Sequence, residues 1–384
     1  MNRRRFLQHS TLGALAATLP ARAQAFRSPL TAMTARGGGM DAGVLDRDGV
    51  WTEAAAYARW APSPHNVQPW KLRLRSATEC DLFCDPSRML PVLDPTTAFT
   101  TIGMTMFVEY LAIALAPMGW RLQATYVDAP LDPLASAPTL FARLTIERAP
   151  VSLAATDREL ILRRQTSRLT YDGGVIPDTV LRELEAVGGP HGNQLRWSSE
   201  DELVAWVVDL NRRTLFLDLD DAPGRTELRR WIRTSETEAH STKDGLWSHC
   251  LQMPGWLLRA FFDDHAKWSR GWRARMCGNM LVRGMRGTRT VVWWAGPFAT
   301  PADWRAAGRA LGAQWLVLTR HGIGMHPFGS VITNPTAYAA LTKQLAHTSG
   351  DAPLWLLARL GRSGTPPRSL RLDAPTLFLS PTEA

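Results

Sequence analysis

Apolar and polar positions along the chain follow two rhythms. From Trp51 to Ala61 the spacing predicts a helix. It stops at Pro62-Ser63-Pro64-His65-Asn66, because proline cannot continue a helix. Trp70 to Leu74 alternates Trp-Lys-Leu-Arg-Leu, as a half-buried strand does, and Asp81 to Cys84 reads as a partner strand. Thr100 to Trp120 is a long apolar run interrupted by Glu109. It predicts a buried central helix rather than a membrane span, since no second span accompanies it. Residues 139–147 read as a strand. The second half begins near residue 157. Helices are predicted over Arg158 to Arg164, Pro177 to Val187 and Asp201 to Phe216, the second closed by Gly188-Gly189. Residues 240–290 are rich in Trp, Arg, Met and Phe without a clean period, and read as an inserted lid over a site. Thr290 to Trp294 is a short apolar strand, Pro301 to Gly324 a second long helix, and Trp355 to Leu360 a further strand.

The two long apolar stretches share a pattern. Gly103 and Gly119 are spaced as Gly308 and Gly324 are, and Leu111 and Leu316 fall at matching places between them. Glycine is costly inside a helix, so its recurrence predicts close helix packing used twice. The expected fold is α+β: two fused, related halves (26–150 and 151–384), each with a central helix and mixed or antiparallel sheets.

Composition narrows the class. With 384 residues, 45% hydrophobic and 21% charged, the chain is neither disordered nor a mini-domain. Cys80, Cys84, Cys250 and Cys277 form no CxxC pair, which argues against a zinc site and a disulfide framework. They read as buried apolar residues, with one disulfide open to an exported chain. The 16 tryptophans suit a large core or a planar ligand.

Residues 1–25 read as a removable export signal. Three arginines precede a short apolar run, and small residues follow up to Ala23 and Ala25. Arg3-Arg4-Arg5-Phe6-Leu7 resembles the twin-arginine signal, whose route carries folded proteins, often with a cofactor already inserted. The expected location is the periplasm, with the twin-arginine machinery as a partner. The segment holds four Arg and no acid, so its removal lowers the net charge from +9 to +5. The remaining arginines read as dispersed, which points away from nucleic acid.

No GxSxG, HExxH, P-loop or GxGxxG motif is present. His321 and His326 flank a Gly-rich turn and read as site-lining or surface residues rather than metal ligands. Two segments carry chemistry. In Pro62 to Trp70, the prolines stiffen a turn in which Asn66 and Gln68 offer amide donors and acceptors, suited to the edge of a planar heterocycle. In Arg163-Arg164-Gln165-Thr166-Ser167-Arg168, guanidinium and hydroxyl groups make a candidate phosphate cradle. Arg359, Arg362, Arg368 and Arg371, around Pro366-Pro367, are candidates to close it.

Together these segments resemble the nitroreductase family of flavin enzymes, as do the helix from Gly308 to Gly324 and the His326-Pro327-Phe328-Gly329 that follows. The order and length look most like its Acg-like branch, in which one chain is similar to two fused units. The resemblance spans roughly residues 50–372. It implies FMN in a cleft between the halves. On that template Arg164, Thr166 and Arg168 hold the phosphate and ribityl chain, Asn66 faces the isoalloxazine ring and Gln68 supports the turn. The backbone of Pro327, Phe328 and Gly329 approaches the ring near N5, and Arg368 closes on the phosphate. One departure stands out: here Asn66 precedes the arginine cluster, whereas in the simple family it follows. One flavin per chain is therefore expected, in a monomer mimicking a dimer or in a homodimer.

The implied activity is FMN-dependent oxidoreduction of flat acceptors such as quinones and nitroaromatics, by hydride transfer through flavin N5 without a side-chain nucleophile. The electron donor is open, since nicotinamide cofactors are scarce outside the cytoplasm. Two alternatives remain: a flavin-sequestering protein with little turnover, and a non-flavin protein that binds an anionic ligand through its arginines.

Overall fold

The structure, a computed structural model, describes residues 49–151, 155–349 and 352–380. The expected export signal lies outside the described residues.

The chain opens with α1 (Val50–Ala58), a single 3₁₀ turn (Pro64–Asn66), β1 (Trp70–Leu74), β2 (Glu79–Cys84), α2 (Ala98–Leu115), β3 (Trp120–Tyr126) and β4 (Thr139–Arg148). These four strands form an antiparallel sheet in the order β1-β2-β4-β3. Next come α3 (Ala155–Arg163), α4 (Asp178–Gly188), β5 (Gln194–Ser198), α5 (Asp201–Asp220) and α6 (Ala222–Arg230). A short parallel pair, β6 (Ile232–Arg233) and β7 (Leu246–Trp247), encloses α7 (Glu236–Thr242). Three helices follow: α8 (Gly255–Asp263), α9 (His265–Trp268) and α10 (Gly271–Gly284). The chain continues through β8 (Thr290–Ala295), α11 (Pro301–Arg320), β9 (Gly324–Pro327), α12 (Gly329–Thr333), α13 (Pro335–Ser349) and β10 (Leu354–Gly361). A second antiparallel sheet runs β5-β8-β10-β9. The architecture is α+β.

Helix α2 is long and apolar enough to cross a membrane, but it is mostly buried within the protein. It packs against α11 at that helix's Gly308. A Cβ on Gly308 would sit 2.8 Å from Thr105 Cβ and 2.9 Å from Ile102 O, so the two backbones touch there. On another side of α2, a Cβ on Gly103 would lie 3.2 Å from Pro62 O and 3.3 Å from Ser63 Cα. The helix thus seats the proline turn directly. One core cluster runs from Val50 through this helix pair to Leu377.

The close helix packing expected at both first glycines is found only at Gly308, since Gly103 meets the proline turn instead, and both second glycines lie outside the helices. The helix expected to reach Trp120 ends at Leu115, because Gly119 turns the chain at φ 76° and Trp120 begins β3. The helix expected to reach Gly324 ends at Arg320, and Gly324 opens β9 against Ser167. Within residues 240–290 three helices replace the expected irregular segment. They gather around a small core of Leu219, Leu257, Phe261 and Cys277. All four cysteines are buried and free, and most tryptophans are core: Trp51, Trp70, Trp293, Trp294 and Trp355 are fully buried.

The helix contact makes a prediction. Gly308→Ala should lower stability by about 1–2 kcal/mol, because overpacking against backbone outweighs the gain in helix propensity. Gly312→Ala meets only the movable Met106 Cγ at 3.2 Å and should be neutral or stabilising. Urea unfolding of the two variants checks this; equal effects would contradict the packing account.

Candidate functional site

The turn between α1 and β1 is strained and then fastened. His65, Asn66 and Gln68 have φ of 46°, 58° and 54°, the left-handed region that costs non-glycine residues about 1–2 kcal/mol each. Such strain persists only where surroundings impose it. Ser63 Oγ accepts from Gln68 N at 3.0 Å. The fully buried Gln68 side chain donates to Lys243 O at 3.0 Å and Asn66 O at 3.3 Å, and accepts from Leu372 N at 2.9 Å. Asn66 Nδ2 donates to Gly245 O and Leu370 O, both at 3.1 Å. Asn66 Oδ1 is buried without a hydrogen-bond partner.

Two segments thus lie across the turn: Lys243–Gly245 and Leu370–Leu372. Asp244 anchors the first, bound by Arg88 at 2.5 Å and Arg233 at 2.6 Å.

Next to the turn, Trp60 collects positive charge. The Arg368, Arg59 and Arg371 guanidiniums lie 3.6, 5.4 and 5.5 Å from its ring centroid. Arg164 donates to Trp60 O at 3.3 Å and stacks 4.5 Å from the Trp315 ring. Asp373 stands at the edge of the group, 3.7 Å from Arg59 and paired with Lys243. Burial, then the charges of Arg164, Arg368 and Arg59, hold Arg371 well below the usual arginine range. Burial, then Arg164 and Arg59, lower Arg368 to about 9. Burial also lowers Arg164. Arg164 Nε and Nη1, Arg371 Nε and Arg59 Nε are buried without hydrogen-bond partners.

Arg168 belongs to a second group. Its Nη1 donates to Cys250 O at 3.4 Å, and its charge bears on both His65 and His326. His326 Nδ1 accepts from Arg359 Nε at 3.2 Å, which fixes the neutral imidazole with its proton on Nε2. Arg359 is wholly buried, held also by Thr288 Oγ1 and Leu169 O and stacked 4.2 Å from Tyr171. Cys250 feels both Arg168 and Arg371, so the two groups adjoin; burial nonetheless raises its thiol pKa.

The structure therefore brings Asn66, Gln68, Arg164, Arg168, Arg368 and the β9 end together, but with altered parts. Arg164 and Arg168 serve different groups, because after α3 the chain turns extended: Thr166 bridges Met325, and Ser167 N donates to Met325 O at 3.1 Å. Gln68 has no amide atom left for a heterocycle. Phe328 is a core side chain and its N–H is spent on Leu357 O at 2.8 Å; Pro327 has no N–H, which leaves the exposed Gly329 to offer a backbone donor. Arg359 braces His326 instead of closing the Trp60 group, and Arg362 is exposed. Arg59 and Trp60 escaped the sequence reading, and His65 and Cys250 were named there without a site role. Arg59-Trp60, a basic–aromatic pair next to the proline turn, was the available signal. A surface cleft of about 650 Å³, lined by Phe99, Phe298, Trp304 and Tyr338, includes none of the expected site residues.

The donor set fits a phosphorylated planar ligand. Unpartnered guanidinium nitrogens suit a phosphate dianion, and the unpartnered Asn66 Oδ1 suits an N–H on a ring edge.

No family model matches the sequence. The chain is 26% identical over 300 residues to the probable NAD(P)H nitroreductase PigM of Serratia, covering 74% of this chain and 81% of that protein. It is 30% identical over 148 residues to a provisionally named NAD(P)H nitroreductase of Mycobacterium tuberculosis, Rv3131, covering 38% of this chain and 42% of that one. Sequence thus relates it to nitroreductases. Among solved structures, an FMN and NADPH-dependent nitroreductase, NfnB, from a Sphigopyxis strain aligns at TM-score 0.35 and 14% identity, covering 56% of this chain and 94% of that one. A nitroreductase with bound FMN from Bacteroides fragilis aligns at TM-score 0.31 and 16% identity, covering 54% and 88%.

The two buried imidazoles make stability depend on pH. Burial and then Arg168 lower His65 from 6.5 to about 4, and burial, then Arg168 and Arg359, hold His326 well below 6.5. Below pH 6.5 the unfolded chain takes up these protons and the folded chain does not, so the imidazoles' contribution to stability falls as pH drops from 6.5 toward 4, against the opposite contribution of Asp94, whose carboxyl burial raises to about 6. Above 6.5 the contribution is complete and level. In urea titrations across that window, His65→Asn, which tolerates the left-handed turn, should flatten the slope. An unchanged slope would remove His65 from the account.

Proposed function

We propose that this protein is an exported, FMN-dependent oxidoreductase of the nitroreductase type that reduces flat electron acceptors such as quinones or nitroaromatics. The carrying observation is the guanidinium group around Trp60, with buried unpartnered nitrogens, beside a turn that presents Asn66 Oδ1. Arg164, Arg371, Arg368 and Arg59 would hold the phosphate. Asn66 would receive the ring edge, and Gln68 would lock the turn that aims it. Thr166 would serve the ribityl chain from the strand-like segment bridged to Met325. Arg168 and the Nε2–H of neutral His326 would supply positive potential beside the ring. FMN, when bound, supplies hydride transfer through ring N5. Both ends of the chain contribute to the site, which supports one flavin per chain in a self-sufficient protomer.

The relatives are named for NAD(P)H. Export through the twin-arginine signal would favour a quinol or an electron-transfer protein as donor instead.

A second reading has its own observation. Lys243–Gly245 and Leu370–Leu372 are bonded across the turn, as a protein that sequesters flavin would require. Steady-state reduction of a quinone or nitro acceptor separates the two, since rapid turnover excludes sequestration.

The phosphate assignment is tested by titrating FMN and riboflavin into Arg164→Ala/Arg371→Ala. The parent should prefer FMN by about a hundredfold or more, as two charge-assisted hydrogen bonds of about 1.5–3 kcal/mol each imply, and the variant should lose that preference. Undiminished FMN binding by the variant would overturn it.

A further inference from the structure

The positive charge, read above as dispersed, has one concentration along the chain. Residues 255–289 hold eight Lys and Arg against two Asp, a local +6 in a chain whose whole net charge is +9. This segment comprises α8, α9 and α10. Each longer helix has two faces. Leu257 and Phe261 of α8 and Cys277 of α10 point inward to the small core. Trp256 and Trp272 point outward, at 65% and 57% exposure, against the burial of most other tryptophans here. They belong to one patch. Trp256 meets Trp268 edge-on at 6.4 Å, and Arg273 lies 5.7 Å from the Trp268 ring and 4.6 Å from Trp272. Lys267, Arg270, Arg275, Arg283 and Arg286 are exposed, and none is in an ion pair among the described residues.

We propose that this face docks the protein on an anionic lipid membrane. Indole rings with an apolar body and a polar N–H settle at the headgroup level, and unpaired arginines and lysines beside them meet lipid phosphates. The helices lie along the surface and none of the three is long enough to span a bilayer. Nucleic acid would use the same charges but gives no reason to keep indoles on the outer face of amphipathic helices. The inference does not depend on the flavin reading. It has a structural link to the site, since Arg283 O and Arg286 O accept from Thr170 Oγ1 and Tyr171 N, just beyond Arg168.

The test is co-sedimentation of the full chain with phosphatidylcholine vesicles, with and without phosphatidylglycerol. Binding should require phosphatidylglycerol and weaken with salt. Trp256→Ser/Trp272→Ser should weaken it by about tenfold or more, with far-UV circular dichroism unchanged because both rings are exposed. The proposal is overturned if neither vesicle binds, or if the double variant binds as the parent does. It is equally overturned if the face serves duplex DNA or a second copy of this chain. The first would show as DNA binding, without vesicle binding, that Arg270→Glu/Arg275→Glu abolishes. The second would show as a dimer that the tryptophan variant dissolves.

Discussion

Like charges held close together and away from water are the costliest arrangement in this molecule. Arg59, Arg164, Arg368 and Arg371 converge on Trp60, and three of them lower the pKa of the fourth. Stacking on an aromatic face offsets a fraction of that repulsion, since a cation–π contact contributes about 0.5–2 kcal/mol. A bound dianion would offset much more, and its binding energy would become folding energy. The strained turn beside the group has the same logic. Three left-handed residues are held by Gln68 and Asn66, whose partners come from residues 243–245 and 370–372. The site is therefore assembled from segments far apart in sequence, on a base of packed helices. That base is α2, which presses Gly103 against the turn and packs Thr105 and Ile102 against Gly308.

The parts of the fold legible in the sequence were those governed by local rules. Alternation gave β1 its observed bounds, Trp70–Leu74, and prolines marked the turn before it. Where one apolar run spans two elements, local pattern fails. Residues 100–120 read as a single helix, but Pro117 and Gly119 break it and Trp120 starts a strand. Gly324–Pro327, with four residues, is too short to show. Gln194–Ser198 alternates as β1 does, and its signal was there to be read.

The site was legible in part for a similar reason. Asn66, Arg164 and Arg168 stood out by residue type and spacing. That Arg164 and Arg168 separate into two groups depends on the chain becoming extended at Thr166, which pairs with a strand about 160 residues later. The Trp60 group likewise draws on α1's end, α3's end and the C-terminal tail, a convergence that spacing cannot record. Gln68 was read first as a ligand-facing amide and is a buried brace. Its full set of bonds is a property of tertiary contacts alone.

The central claim is that the guanidinium group exists to hold a phosphorylated flavin. The most direct measurement is the visible absorption spectrum of the full chain purified without added cofactor, with identification of whatever heat releases. The account predicts a flavin spectrum and FMN at one per chain. A colourless protein that also fails to take up added FMN would contradict it.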